Sequence, residues 1–428
     1  MTAFPKYERY KDSGVEWLGE IPEHWHVSKT RWLWREVEDP SANGDEQLLS
    51  ISQYTGVTPT NAESRSESLV GYRRCKLDDL AMNIMLAWQG GLGVSNYEGI
   101  VSPAYSVFRL RGDNNSHYLG YLYRTKRYLD EFGRNSTGIV PSRWRLYPDK
   151  FGHILTLLPP KPEQDRIVAF LDQKTAEIDA LIAKKQRQIE LLDEQKAILI
   201  NRAVTRGFNS DAKIKSSGID LIGEIPEHWE VLQLRRLQRY GTSITYGIVQ
   251  AGPDIEDGIP YLRTSDMKGA EFGHSGFLKT SHKIDNAYRR SKVEEGDLVI
   301  AIRATLGKAL RVPKHLHGAN LTQGTAKVAP GPRLDSKFLA YAFNSSYCQE
   351  AVLFVGKGTT FLEITLEALR RIQLVVPPMA EQVQIVGAID RAVDLHRESV
   401  GLTLKEIQSL KSLRNTLIAH AVTGRIKV

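Results

Sequence analysis

The stretch LPPKPEQDRIVAFLD, Leu158 to Asp172, returns as VPPMAEQVQIVGAID, Val376 to Asp390, an offset of 218 positions. Each copy opens with Pro-Pro and then Glu-Gln, residue types that suit the first turn of a helix. Apolar residues follow at helical spacing. In the first copy they are Ile167, Leu171, Ile178, Ile182, Ile189, Leu192 and Leu199. In the second they are Ile385, Ile389, Val400, Ile407, Leu410 and Leu417, and His396 stands where the first copy has Ile178. Steps of three, four and seven trace a narrow seam rather than a broad globular face. The 41 residues from Glu163 to Ala203 match the 41 from Glu381 to Ala421 without a gap, and neither run contains proline. A helix of that length is a rod of roughly 60 Å, and Gly207 and Gly424 supply its stops. One rod cannot bury its seam alone. The spacing therefore predicts that the two rods pack on each other, antiparallel, and relate the halves by a pseudo-twofold axis.

A second repeat has a different offset. GEIPEHW occupies Gly19 to Trp25 and again Gly223 to Trp229, 204 positions apart. Between the repeated units lie inserts of 133 residues (26–158) and 147 residues (230–376), and their difference of 14 turns the offset of 204 into 218. The plan is a fixed frame with variable inserts. Runs such as IPYLRTSDMKG and GDLVIAIRATLGKALRVP are short β-formers broken by Gly and Pro, the texture of compact mixed domains with long loops. The expected fold is α+β: two mixed α/β domains joined by two long antiparallel helices that form a coiled coil. The expected boundaries are 1–158 for the first domain (repeat start at 14–25), 159–207 for the central helix, 208–376 for the second domain (repeat start at 218–229) and 377–428 for the last helix. Glu20, Glu23, His24 and their counterparts suggest an acid–base pair in isolation. Their position before each insert reads instead as a turn, with Trp25 and Trp229 as packing anchors.

Composition narrows the function classes. Only Cys75 and Cys348 are present, which removes a disulfide framework or a Cys-rich zinc site. The N-terminus lacks the apolar core of a secretory signal and no run spans a bilayer, so a cytoplasmic protein without membrane contact is expected. No phosphate-binding loop is complete: Ile302 replaces its first glycine and Ala309 its Ser/Thr. Paired Cys spacing, His-Glu-x-x-His, an Asn/Asp-Pro-Pro-Tyr motif and a Mg²⁺-holding nuclease set are all missing. Catalytic and metal sites are therefore not expected.

Binding is better supported. Residues 230–376 carry 20 Lys/Arg against 14 Asp/Glu and residues 26–158 carry 16 against 14, whereas the helical stretch 163–207 is balanced at 8 and 8. The cationic surplus thus lies in the inserts, together with residue types that read base edges or phosphates. In the second insert these are Arg263, Thr264, Ser265 and Lys268; Arg303, Thr305 and Lys308; Asn320, Thr322 and Gln323; and Lys357. In the first they are Gln89 and the run Arg134, Asn135, Ser136 and Thr137.

This arrangement resembles the specificity subunit of type I restriction–modification enzymes. The likeness covers nearly the whole chain and rests on the duplicated GEIPEHW, PPxxEQxxIV and AVT, with phrases such as AWQGGLGVSNYEGIVSPAY and LRTSDMKG. It implies two target-recognition domains, each reading one half of a bipartite site on double-stranded DNA, and helices that set the spacer and dock two methyltransferase subunits. It also implies that S-adenosylmethionine belongs to those partners, that ATP and Mg belong to restriction/translocase subunits, and that this chain binds no cofactor itself. The dissimilar inserts add an asymmetric target. A coiled-coil adaptor that binds only protein, or a stand-alone nuclease or methyltransferase, are the alternatives.

Overall fold

The computed structural model describes residues 4–60, 68–140, 143–356 and 363–428. The strands that flank each insert pair with each other. His26–Lys29 runs antiparallel to Leu155–Leu158, with His26 opposite Leu158. Glu230–Gln233 does the same with Gln373–Val376, Glu230 opposite Val376. Each insert therefore leaves and rejoins the repeated frame at one two-stranded ribbon, so its length does not disturb the frame.

The chain divides into two compact units, residues 1–186 with 404–428, and residues 187–403. The division falls inside both long helices, Lys161–Arg206 and Met379–Val422. The first unit holds a four-stranded antiparallel sheet ordered Trp34–Glu36, Ser106–Leu110, Leu80–Met82, Leu92–Val94. The second holds one ordered Thr245–Tyr246, Thr325–Val328, Leu298–Ala301, Ala309–Arg311. In chain order the two sheets are built the same way. Each is followed by a pair of short helices, Ser116–Tyr123 and Lys126–Asn135 in one, Ser336–Phe343 and Ser346–Val355 in the other.

Both faces of these sheets are covered, which explains the unbroken apolar run LVIA. Side chains alternate along a strand. Leu298 and Ile300 join the core around Trp229, while Val299 and Ala301 join a second core with Met267 and Phe272. The units differ in what they add. The first has the hairpin Leu49–Ser52 with Gly56–Pro59. The second sets Ile259–Leu262 antiparallel to Lys279–Thr280 and parallel to Asn320–Leu321.

The repeated phrases meet in space. In the second unit Trp229 is fully buried. Its Nε1 donates to Glu381 Oε2 at 2.9 Å, and His228 Nε2 meets Oε1 of the same carboxylate at 2.6 Å. Glu381 lies in the first turn of the helix Met379–Val422. The other side of the indole faces Gly207, just past the end of the helix Lys161–Arg206, where a Cβ would come within 3.1 Å of the ring. Gly207 has φ +68°, the left-handed value that ends a helix. In the first unit Trp25 is fully buried. There His24 Nε2 meets Glu163 Oε2 at 2.8 Å, and Tyr7 donates to the other oxygen. Burial and that carboxylate push the Tyr7 phenol up. Gly424, with φ +69°, lies against Trp25 and Pro22, where a Cβ would fall 2.5 Å from the proline ring. In each unit, then, the start of one long helix and the end of the other close on the repeated phrase, through the Trp229 indole itself in the second unit and through His24 at the helix start and Trp25 at the helix end in the first.

The glutamine of each Glu-Gln pair fixes the helix start from a second side. Gln164 donates to Pro159 O and accepts from Asn115 N, at 2.9 and 2.8 Å. Gln382 donates to Pro377 O and accepts from Asp335 N, both at 2.8 Å. Asn115 and Asp335 are the N-caps of the short helices that follow. About two turns further along, Tyr121 donates to Asp172 and Tyr341 to Asp390, each at 2.6 Å.

Within each unit, segments of the two long helices pair. In the first unit Asp179 lies 3.1 Å from Arg414 and Lys185 2.6 Å from Glu406, so numbers rise on one segment as they fall on the other: the segments are antiparallel. Ile167, Leu171, Ile178, Ile407 and Leu417 are buried there, and Ile182 and Leu410 half-buried. In the second unit Ile189, Ile385 and Ile389 are buried, and Leu192, Leu199 and Val400 half-buried. His396 is occupied by Asp193 at 3.0 Å.

Replacing Trp229 by alanine should destabilise the second unit by about 3–5 kcal/mol, the usual cost of emptying a large aromatic site. Gln382→Ala should cost about 1–3 kcal/mol by stranding the Asp335 amide. Urea unfolding followed by hydrogen exchange checks both; unchanged protection of residues 224–233 in the tryptophan variant would contradict the clamp.

Candidate nucleic-acid interface

Three phrases singled out in the second insert converge at one end of its sheet. Thr322 N donates to Leu262 O at 3.2 Å and Ile302 N to Gly324 O at 2.9 Å. Lys308 Nζ donates to Lys268 O at 3.1 Å. The loops beginning at Arg263, Ile302 and Leu321 therefore form one surface, although 58 positions separate Arg263 from Leu321 (263 to 321).

Their side chains have different tasks. Ser265, Lys268, Thr305 and Gln323 are exposed, and Arg263, Thr264, Arg303, Lys308 and Thr322 are half-buried. Arg263 grips Asp266 with Nε and Nη2 at 3.1 and 2.8 Å, and that carboxylate also accepts from the Arg263 amide, closing the tight turn Thr264–Asp266. The carboxylate holds the Arg263 guanidinium above its ordinary pKa. Arg303 Nη2 donates to Glu363 at 2.8 Å. Asn320 is completely buried. Its amide donates to Asp285 Oδ1 at 2.9 Å and accepts from Ser291 at 2.6 Å. Asp285 in turn pairs with Lys292 at 2.6 Å. With its donor and acceptor both engaged inside the unit, Asn320 has no edge to offer a base; it is a scaffold residue, which corrects the sequence-based expectation. Lys357 lies outside the described residues.

In the first unit the corresponding loop joins Leu80–Met82 to Leu92–Val94. Gln89 is exposed at the end of the turn Ala87–Gln89, and Gly90 follows with φ +94°. Trp88 packs edge-on against Trp144, with ring centroids 5.1 Å apart. The run Arg134 to Thr137 closes the helix Lys126–Asn135 rather than projecting as a loop. Asn135 Nδ2 donates to Glu131 O at 2.9 Å and Ser136 Oγ to Phe132 O at 2.7 Å. Arg134 lies 3.5 Å from Glu131. Thr137 pairs with Arg145, and both are exposed. Sequence reasoning passed over Arg143 and Arg145; their alternation in SRWRLY was the available signal, and both are exposed. It also passed over TYGIVQ, Thr245 to Gln250, where a glycine interrupts a β-rich run.

Other buried charges are structural. Asp297 faces Arg239 at 2.5 Å, and Lys327 Nζ donates to Lys292 O at 2.6 Å. Burial raises the Asp297 carboxyl and lowers the Lys327 ammonium, and both lie inside the unit rather than on the loop surface. Among the described residues no group of three His, Cys, Asp or Glu is placed to hold a metal, and no helix is long and apolar enough to cross a membrane.

Residues 226–406 match the family model of the type I restriction modification DNA specificity domain. A putative type I restriction enzyme MjaX specificity subunit of Methanocaldococcus jannaschii is 25% identical over 454 aligned positions, covering 100% of this chain and 99% of that one. The type I restriction enzyme EcoBI specificity subunit of Escherichia coli is 26% identical over 277, covering 63% of this chain and 58% of its own. Two solved structures share the fold. One is a chain from work on complex assembly and conformational transition of the type I R-M system, with TM-score 0.68, 15% identity and coverage of 94% and 98%. The other is the HsdS subunit from Thermoanaerobacter tengcongensis, with TM-score 0.54, 16% identity and coverage of 95% and 98%.

If the loop assignments hold, Asn320→Ala and Gln323→Ala should separate cleanly. The first should destabilise the second unit by about 1–3 kcal/mol, because it strands buried polar partners. The second should change stability by less than about 0.5 kcal/mol. Urea titration of both variants measures the difference, and equal effects would contradict the placement.

Proposed function

We propose that the chain is a type I restriction enzyme specificity subunit and that it reads a bipartite, asymmetric DNA site, one half with each unit. The observation that carries this reading is the pair of sheets in identical strand order, each carrying a different set of exposed polar loops on the same repeated frame. Sheets of one strand order with different loops suit two readers of different sequence. Lys268, Lys308, Arg143 and Arg145 supply cationic contact with phosphates, and Gln89, Thr305 and Gln323 supply contacts to base edges.

In this proposal the two helices form an antiparallel coiled coil that sets the spacer between half-sites and docks two methyltransferase subunits. The domain limits follow the repeats, 1–158 and 208–376 for the readers and 159–207 and 377–428 for the helices. Methylation and cleavage are carried by partner subunits, which bring S-adenosylmethionine, ATP and Mg; this chain supplies recognition in the cytoplasm.

The test is assembly of the purified chain with its methyltransferase subunits. The complex should methylate one asymmetric bipartite motif, and the motif should disappear when this chain is omitted. Its DNA affinity should fall at least about tenfold between ~50 and ~200 mM salt, as phosphate contacts release counterions. A salt-insensitive complex without DNA affinity would indicate a protein-only adaptor. Methylation or cutting by the isolated chain would indicate a stand-alone enzyme.

A further inference from the structure

The segment Thr245–Gln250 lies inside the convergent loops of the second unit. Gly247 N donates to Thr322 O at 3.1 Å, Ile248 N to Leu321 O at 2.6 Å, and Gln323 N to Ile248 O at 2.9 Å. The segment is thus held along Leu321–Gln323 by a parallel bridge of Ile248 with Thr322. Gly247 makes this possible: a Cβ there would fall 1.9 Å from Leu321 O, inside any allowed contact. Ile248 is buried and anchors the segment, while Tyr246 and Val249 are 44% and 47% exposed and Gln250 is exposed. A close-packed glycine and one buried isoleucine therefore hold an exposed Tyr-x-x-Val-Gln edge beside Gln323.

The chemistry of this edge is selective. Bidentate reading of guanine falls to Arg or Lys, and of adenine to Asn or Gln. Arg263 has its fork on Asp266, so reading a guanine with it would mean giving up that partner, and Arg303 donates to Glu363 through Nη2. Lys308 is bonded to Lys268 O, and Asn320 is buried. Gln250 and Gln323 are exposed, on segments joined by the bridge of Ile248 with Thr322, and among the described residues no side-chain hydrogen bond engages either amide.

We propose that Thr245–Gln250 is part of the reading surface of the second unit, and that Gln250 or Gln323 reads an A·T pair in its half-site. The proposal rests on the functional reading above and adds to it both the residues and the class of base.

The experiment compares the assembled methyltransferase complex carrying the unaltered chain, Gln323→Ala or Gln250→Ala, by sequencing methylated motifs in a randomised DNA library. Both positions are exposed, and urea unfolding of each variant should match the unaltered chain. The expected result is that at least one variant loses discrimination at an A·T position of one half-site, by about fivefold to about a hundredfold, the range of one good bidentate contact. The other half-site and the spacer should stay as they were. Two outcomes overturn the proposal while leaving the functional reading intact: both variants retain the original motif at every position, or the relaxed position is a G·C pair. If the unaltered complex shows no sequence preference at all, the functional reading fails and the proposal fails with it.

Discussion

Each of two buried tryptophans joins three distant parts of the chain. Trp229 closes the second unit by bonding Glu381 at the start of one long helix and by packing on Gly207 at the end of the other. Trp25 lies against Gly424 in the first unit, and its neighbour His24 bonds Glu163. A helix start and a helix end that meet at one place and lie side by side run in opposite directions. The antiparallel pairing is thus imposed at the clamp and then continued by the seam and by ion pairs such as Asp179 with Arg414. Those exposed pairs contribute little energy individually. The buried indole and the hydrogen-bonded carboxylate and glutamine contribute most of the joint's stability, because stranding any of them leaves a cavity or an unpaired polar group.

The clamp also explains how the readers diverge without disturbing the frame. Each insert starts and ends at one antiparallel ribbon, His26–Lys29 with Leu155–Leu158 or Glu230–Gln233 with Gln373–Val376. Whatever lies beyond the ribbon is mechanically a long loop. A doubly covered four-stranded sheet gives that loop its own core, and the exposed polar residues proposed as readers sit on the connections, where length and sequence are tolerated.

Much of this was legible in the sequence because it was written twice. The helix seam from Ile167 to Leu199 follows from spacing, and the Pro-Pro-x-x-Glu-Gln helix start from residue type. The reason for Glu-Gln was not legible. Glu163 and His24 are 139 positions apart (24 to 163), and only the fold brings the duplicated phrases together. The loop residues were the least readable. Asn320 has the composition of a base reader but is enclosed by Asp285 and Ser291, partners far from it in sequence. Arg134 to Ser136 have the composition of a flexible loop but cap a helix. Composition names the kinds of contact available; burial decides which of them face outward.

The central claim is that the repeated helices act as a ruler and the inserts as readers. Its most direct test is to insert seven residues, two turns of seam, at matched positions within both long helices and to sequence the motif methylated by the assembled complex. The account predicts a longer spacer between two unchanged half-sites. An altered half-site, or a spacer that keeps its length, would contradict it.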